Sequence, residues 1–268
     1  MFTKNRIFIS FAILLLALML MAANSMAIPP SISIVQQTNL LLAGQTGSFS
    51  ALCPVGSVVT GGGAEFMGDL YWYGSYKSGN GWQVRASNPT AVNGQITVYA
   101  TCLHDTRGST SQEKDGAIVA PDSLETVSVE CPVGSVLVSG GFYLSSNDNS
   151  VKIIASRKQA NGWMLAVQNL TNQKQSLRVF ATCLSGVDAK SYEAVDSDNS
   201  VPVVPVSTAP SCAAGGLLTG GGYKIPLALD VFMHFPFDGG GFNFWQTTVW
   251  EEPGPSLYFE GYAVCLTL

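Results

Sequence analysis

The chain has 268 residues, with 18 acidic and 13 basic side chains and a formal net charge of −5. Only 12% of its residues are charged, whereas 47% are hydrophobic and glycine occurs 28 times, a profile typical of an exported all-β protein. The acidic balance argues against nucleic-acid binding through a basic surface.

The N-terminus is typical of a secretory signal peptide. Lys4 and Arg6 precede an apolar run over residues 7–21, and small residues follow as far as Ala27. The run is shorter than the ~20 residues that a membrane-spanning helix needs. We therefore expect residues 1–27 to be cleaved after export. No second apolar run of spanning length follows, so no transmembrane span is expected in the remaining chain.

Beyond this segment the chain repeats one pattern three times: a cysteine, a tight turn, a cluster of glycines, a tryptophan, and a strand that carries a second cysteine. Internal repetition marks structural units that pack as copies. Polar stretches between the copies are interpreted as linkers. The predicted segments are an N-terminal segment (28–43), repeat 1 (44–103), a linker (104–123), repeat 2 (124–184), a linker (185–205) and repeat 3 (206–268).

The six cysteines predict disulfide bonds, because an even number in an exported chain usually forms them. Zinc binding is disfavoured, since no Cys-x-x-Cys pair occurs. Two symmetric pairings are considered, and the one within each repeat is favoured because a small β unit gains most from its own disulfide. The favoured pairs are Cys53–Cys102, Cys131–Cys183 and Cys212–Cys265. The alternative pairs are Cys102–Cys131, Cys183–Cys212 and Cys53–Cys265.

The segment before each second cysteine predicts a strand. In repeat 1, Ile96, Val98, Ala100 and Cys102 share one face of this strand. An aromatic residue stands three positions before each of these cysteines and points to the opposite face: Tyr99, Phe180 and Tyr262. A large ring at this place in every repeat predicts that the second face is also partly covered by a neighbouring repeat.

The recurring glycines and tryptophans are interpreted as structural. The clusters at 61–63, 140–141 and 220–222 are not followed by helical periodicity, so they indicate bulges or close strand contacts and not phosphate loops. Asn80-Gly81 and Asn161-Gly162 predict tight hairpin turns. The tryptophans that follow, Trp82 and Trp163, are predicted to fill the core against the disulfide. Trp72 has no counterpart in repeat 2 and receives no such assignment.

Repeat 3 departs from the pattern over residues 231–245, which hold five phenylalanines and a tryptophan around three glycines and a proline. Two interpretations are open: this loop packs as additional core, or it presents an apolar patch to a partner. In the second case His234 and Asp238 are rim residues. The candidate partner-binding residues are Phe232, Phe235, Phe237, Phe242 and Phe244.

The sequence gives little indication of a catalytic site. Neither a Gly-x-Ser-x-Gly elbow nor a His-Glu-x-x-His motif occurs, and the adjacent Glu251 and Glu252 would point to opposite faces of a strand. The Asp-rich segment 196–199 lacks the glycine and glutamate of a calcium loop. The sequence predicts a protein that is not an enzyme and holds no metal or cofactor.

The string Cys-Pro-x-Gly, Gly-Gly-Gly, Gly-Trp and Ala-x-Cys resembles a poorly characterised repeat of bacterial exported and cell-envelope proteins, over most of residues 44–268. A weaker similarity is to three-fold, lectin-like β-prism proteins. The expected fold is all-β, with three tandem disulfide-stapled β-sheet or β-sandwich repeats that pack with pseudo-three-fold symmetry, as in a β-prism.

The expected function is that of an exported, non-enzymatic binding or structural protein of the cell envelope. It would act through protein–protein contacts, as a peripheral subunit of an outer-membrane or secretion assembly or as an adhesin, and oligomers are left open. A carbohydrate-binding lectin is the alternative, and a secreted hydrolase is the third interpretation. The expected location is periplasmic, outer-membrane associated or extracellular.

Overall fold

The structure is a computed structural model that describes residues 29–105, 107–238, 243–251, 253 and 255–268, without the side chains of Asp238 and Glu251. The predicted signal peptide, residues 1–27, lies outside the described residues. Residues 31–268 form one compact unit. In the described part of the chain, no helix is long and apolar enough to cross a membrane.

The described residues form eighteen β-strands, six in each repeat when the N-terminal segment and the two linkers are counted with the repeat that follows them. Repeat 1 contains β1 (Ser31–Leu41), β2 (Thr46–Leu52), β3 (Val58–Met67), β4 (Tyr71–Ser78), β5 (Gly81–Ser87) and β6 (Gly94–His104). Repeat 2 contains β7 (Ser109–Val119), β8 (Leu124–Glu130), β9 (Val136–Leu144), β10 (Val151–Gln159), β11 (Gly162–Asn169) and β12 (Gln175–Ser185). Repeat 3 contains β13 (Lys190–Asn199), β14 (Val206–Thr208), β15 (Leu217–Lys224), β16 (Leu229–Asp238), β17 (Asn243–Glu251) and β18 (Tyr258–Thr267).

These strands form three six-stranded sheets, with orders β1-β6-β3-β16-β17-β14, β2-β5-β4-β9-β12-β7 and β13-β18-β15-β10-β11-β8. Each sheet combines the first, sixth and third strands of one repeat with the fourth, fifth and second strands of another. The all-β, three-fold prediction is therefore confirmed. No repeat forms a sheet alone, because each one contributes three strands to each of two sheets.

The segments interpreted as linkers are strands in the structure. Residues 104–123 contain β7, residues 185–205 contain β13, and the N-terminal segment 28–43 contains β1. Strand β13 stands at the edge of its sheet and has an exposed, polar second half, Asp196–Asn199. Charged and polar side chains protect edge strands from pairing with other chains, and this composition resembles that of a loop.

The disulfides pair within each repeat, as predicted: Cys53–Cys102, Cys131–Cys183 and Cys212–Cys265. The first cysteine of each pair follows the second strand of its repeat, and the other lies in the sixth strand. Because these two strands belong to different sheets, each disulfide joins two of the three sheets. The three bonds together close the prism around its axis.

Each repeat buries one tryptophan at the equivalent position of its fifth strand, and the three are called the tryptophan layer below. Trp82, Trp163 and Trp245 are at most 1% exposed, and each belongs to an apolar cluster that includes a disulfide cysteine. Each indole ring lies over a glycine, so a Cβ atom added to Gly62 or Gly140 would lie 2.3 or 2.0 Å from the indole Cγ. Register shifts beside the glycines of β3 and β15 confirm the predicted bulges.

The outer aromatic residues of the sixth strands are covered by neighbouring repeats, as predicted. Tyr99 of repeat 1 stacks on Phe235 of repeat 3, with ring centroids 4.5 Å apart. Phe180 of repeat 2 stacks on Tyr76 of repeat 1 at 5.0 Å. In the third sheet, the guanidinium of Arg157 from repeat 2 lies 5.3 Å from the ring centroid of Tyr262.

The predicted hairpins join β4 to β5 and β10 to β11 through two-residue loops, 79–80 and 160–161. Each loop is shifted by one residue towards the N-terminus from the predicted Asn-Gly pair, so the asparagine is its second residue and the glycine begins the next strand. The first loop residue, Gly79 or Ala160, has a positive φ. The side chain of Asn80 accepts a hydrogen bond from the Val59 amide at 3.0 Å and donates one to the Ser57 carbonyl at 2.9 Å. This asparagine therefore fastens the hairpin to the turn that follows the cysteine.

Candidate functional site: an axial cavity

The described residues of the aromatic segment, 231–238 and 243–245, lie in the paired strands β16 and β17, with β16 also paired to β3 and β17 to β14. Among the candidate partner-binding residues, Phe235 is buried, Phe232 and Phe244 are half-buried, and Phe237 is 42% exposed. Phe242 lies outside the described residues. The loop interpretation was wrong because phenylalanine is a good strand former, and the sheet absorbs most of this segment.

His234 is part of the core and not a rim residue. It occupies the register position of Ser75 and Ser156, which accept hydrogen bonds from the indole N–H of Trp82 and Trp163. In repeat 3 the Trp245 indole Nε1 donates to His234 Nε2 at 3.0 Å. Burial lowers the pKa of His234 to about 3, so the imidazole is neutral and able to accept this bond. The side chain of Asp238 lies outside the described residues.

A cavity of about 650 Å³ opens on the axis, at the N-terminal ends of the fourth strands of the three repeats. All three repeats contribute to it, and its size lies within the ~300–1,000 Å³ typical of small-molecule sites. Each repeat lines it with the start of its fourth strand, at Trp72, Ile153 and Val231 among other residues.

Strand register relates the cavity walls of the three repeats. Trp72, Ile153 and Val231 occupy one equivalent position, each immediately before a bulge in the fourth strand. The preceding position in each strand lies at the cavity mouth and pairs with Ser87, Gln168 or Trp250 of the fifth strand. The residues at this second position are Tyr71, Lys152 and Asp230. The same backbone positions thus carry an aromatic, a cationic and an acidic side chain.

Carboxylates outnumber ammonium groups at the mouth. Lys152 Nζ forms an ion pair with Asp230 Oδ1, and Asn149 Nδ2 donates to Asp230 Oδ2 at 3.5 Å. Hydrogen bonds from the Ser146 and Ser150 hydroxyls lower the pKa of Asp148, which therefore stays ionised. With an exposed aspartate at position 69 as well, the mouth carries three carboxylates and one ammonium, a balance that disfavours anionic ligands.

Tyr223 belongs to the floor of the cavity. It is 1% exposed, and its ring stacks on Trp72 with centroids 6.3 Å apart. Burial and the nearby Asp230 charge raise the pKa of the phenol, which keeps its proton. Its hydroxyl has no hydrogen-bond partner among the described residues. The equivalent positions hold Phe142 and Ala64, so the hydroxyl occurs in repeat 3 only.

The comparisons with known proteins give one finding. Neither the models of protein families nor the curated proteins match this chain. The resemblance to repeats of bacterial exported and cell-envelope proteins therefore stays a prediction.

Sequence reasoning did not find this cavity. Its one available signal was Trp72, which stood out as a tryptophan without a counterpart in repeat 2. The other lining residues looked like ordinary strand residues of three separate repeats. In the described part of the chain, no group of three His, Cys, Asp or Glu side chains is arranged to hold a metal ion.

Proposed function

We propose that the protein is a non-catalytic binding protein outside the cytoplasm, and that the axial cavity holds its ligand. The observation that carries this proposal is the loss of repetition at the cavity. The three repeats agree in the buried tryptophan layer, whereas equivalent positions at the cavity differ in size and charge. The three disulfides indicate an oxidising, extracytoplasmic environment.

The state of the polar groups supports binding rather than acid–base catalysis. Asp148 is ionised and accepts hydrogen bonds, and Asp230 is paired with Lys152. Both carboxylates are held in place by these side-chain partners, and both are able to accept a hydrogen bond from a ligand. The buried His234 is committed to the Trp245 indole.

The test is a ligand screen by thermal unfolding, with sugars, nucleotides, short peptides and lipid headgroups as probes. Ile153→Trp fills the cavity with the side chain that repeat 1 already carries at this register, and Ile153→Val, the residue of repeat 3, is the matched control. We expect a probe that raises the Tm of the wild type and of Ile153→Val, but not that of Ile153→Trp.

Two results contradict the proposal. One is a screen in which no probe shifts the Tm of the wild type. The other is a probe that stabilises Ile153→Trp as strongly as the wild type, since binding would then take place away from the cavity.

A second candidate function is a protein contact in the cell envelope, in a peripheral subunit of an outer-membrane or secretion assembly or in an adhesin. Phe237 and Phe244 support it, because Phe237 is 42% exposed and their ring centroids lie 5.0 Å apart near the tip of the β16–β17 hairpin. Large exposed aromatic side chains are typical of interface residues. A protein with this function would be located in the periplasm, at the outer membrane or outside the cell.

The test is crosslinked capture from envelope fractions with the double variant Phe237→Ser, Phe244→Ser. Tyr258→Ser, which removes an aromatic side chain that is 54% exposed on another strand, serves as the control. We expect the double variant alone to lose the captured protein. Equal capture by both variants counts against this contact.

A further inference from the structure

The aromatic side chains that break the three-fold pattern meet at the axial cavity. Trp72 stands where repeats 2 and 3 have Ile153 and Val231. Trp250, 39% exposed, stands where the other repeats have Ser87 and Gln168. Both indole rings line the cavity, and Trp72 is only half-buried. An accessible indole offers a flat apolar face beside a polar edge.

Hydrogen-bond donors and acceptors lie side by side in the lining of the cavity. The carboxylates of Asp148 and Asp230 accept only, the Lys152 ammonium donates only, and the Asn149 amide does both. A ligand that satisfies such a mixed set needs several groups that both donate and accept. Hydroxyl groups have this property, and the excess of carboxylates at the mouth disfavours an anion.

The Tyr223 hydroxyl adds a polar group at the floor. Tyr223 lines the cavity, and no described residue takes up its hydroxyl, which is therefore free to form a hydrogen bond with a ligand hydroxyl. The phenol is protonated, so it is able to donate to such a ligand. Repeat 2 has Phe142 at the position equivalent to Tyr223, and this phenylalanine is only 2% exposed. The position therefore accommodates an aromatic ring without the hydroxyl.

We infer that the axial cavity binds a neutral saccharide, with the apolar face of a sugar ring against the indoles of Trp72 and Trp250 and a ring hydroxyl hydrogen-bonded to Tyr223. A sugar ring combines a C–H face with hydroxyl edges, which is the combination that these walls match. The inference rests on the proposed function and names the ligand class of the same cavity. It differs from multivalent sugar binding, since one site is shared by all three repeats.

The experiment uses an array of neutral, amino-bearing and acidic glycans, followed by calorimetric titration of the strongest neutral glycan. Tyr223→Phe and Trp250→Gln place the residues of repeat 2 at these registers and therefore preserve the scaffold. Tyr99→Phe is the matched control, because it removes a tyrosine hydroxyl from the outer face of another sheet, where that hydroxyl bonds Glu65.

We expect neutral glycans to bind and acidic glycans to fail. Loss of one hydrogen bond in Tyr223→Phe should weaken binding about five- to tenfold. Trp250→Gln should weaken it by about fivefold, since it removes a stacked aromatic ring, and Tyr99→Phe should leave it unchanged. Thermal unfolding of each variant confirms that it is folded.

The outcomes separate the inference from the proposed function. A non-saccharide probe that stabilises the wild type but not Ile153→Trp, together with an array without neutral hits, overturns the saccharide and leaves the proposed function standing. Preferential binding of acidic glycans also overturns it. Glycan binding that survives in Tyr223→Phe and Trp250→Gln at full strength overturns the placement in the cavity. A screen and an array without any bound molecule overturn both.

Discussion

The tryptophan layer and the axial cavity are built on the same strands, yet they differ in how faithfully the three repeats agree. In the layer, three indoles lie over three glycines, and each donates to a partner at the same register. At the cavity, the equivalent positions hold Trp72, Ile153 and Val231. Close packing tolerates little change in shape, whereas an open cavity allows each repeat to carry different chemistry.

Next to the tryptophan layer, the repeats also meet directly at the axis. The Thr101 hydroxyl donates to the Thr219 carbonyl at 2.7 Å, and the Thr219 hydroxyl donates to the Val138 carbonyl at 2.7 Å. An added Cβ at Gly61 would lie 2.2 Å from the Thr219 carbonyl oxygen. Small residues at these positions therefore follow from the close contact of strands from different repeats.

The largest expected effect separates the two regions by stability. Trp163→Ala should lower the free energy of unfolding by about 3–5 kcal/mol, because it leaves a large void in a close-packed layer. Trp250→Ala at the cavity mouth should change it by less than about 1 kcal/mol, since the side chain is 39% exposed. Urea unfolding at pH 7 measures both. Equal losses would remove the distinction between scaffold and site.

Removal of one disulfide should have the next largest effect. The double variant Cys131→Ser, Cys183→Ser should lose about 2–5 kcal/mol, because the bond closes a long loop and joins two sheets. Serine is close to cysteine in volume, so the two substitutions leave little empty space. Denaturant unfolding under non-reducing conditions gives the value, with unreduced wild type as reference. An unchanged midpoint would show that the sheets do not need this bond.

The pH dependence of stability tests His234, which belongs to both regions. Its ring accepts from Trp245 and lies 5.1 Å from the ring of Tyr223 at the cavity floor. The folded pKa of about 3 lies below the unfolded value of 6.5, so between these values the unfolded chain binds more protons and stability falls as the pH decreases. From pH 7 to pH 5 the expected loss is about 2 kcal/mol.

The control for this prediction is His234→Ser, which introduces the residue of the other two repeats. This variant should lack the acid-dependent part of the loss, although a void beside Trp245 will lower its stability at pH 7. Unfolding at pH 7, 6 and 5 compares the slopes of the two proteins. Parallel slopes would mean that His234 does not carry the effect.

The smallest expected effect lies on the outer surface, away from both regions. Burial raises the pKa of Glu193 to about 7, although Arg157 opposes the shift. This value is above that of the unfolded chain, so the folded state holds more protons and loses stability as the pH rises from 4.5 to 7. Glu193→Gln should stabilise the protein at pH 8 by less than about 1 kcal/mol, because the group is partly exposed, and should have no effect at pH 4.

Glu193→Gln also tests whether the outer sheet surface and the axial cavity are independent of each other. Because Glu193 lies in edge strand β13 and does not line the cavity, the variant should bind any cavity ligand with wild-type affinity. A change in affinity would show that the outer sheets and the cavity are coupled.

Much of the scaffold could be predicted because its signals are local and repeated three times. Alternation identified the sixth strands, and the recurrence of the cysteines favoured the pairing that the structure has. The edge strands β7 and β13 were missed because polar, exposed strands have the composition of loops. Residues 231–238 and 243–245 were misread as part of a loop, since the strand pairing of β16 with β3 and of β17 with β14 is not visible locally.

The sequence by itself determined the all-β class and favoured the disulfide pairing within each repeat and the burial of Trp82 and Trp163, because each signal lies in spacing within one repeat. Only the tertiary structure decided that repeats exchange strands between sheets, and that Trp72, Tyr223 and Asp230 share one cavity. These residues come from repeats 1 and 3, so the whole of repeat 2 separates Trp72 from the other two along the chain. Their proximity arises from the closure of three sheets around an axis, which no local pattern records.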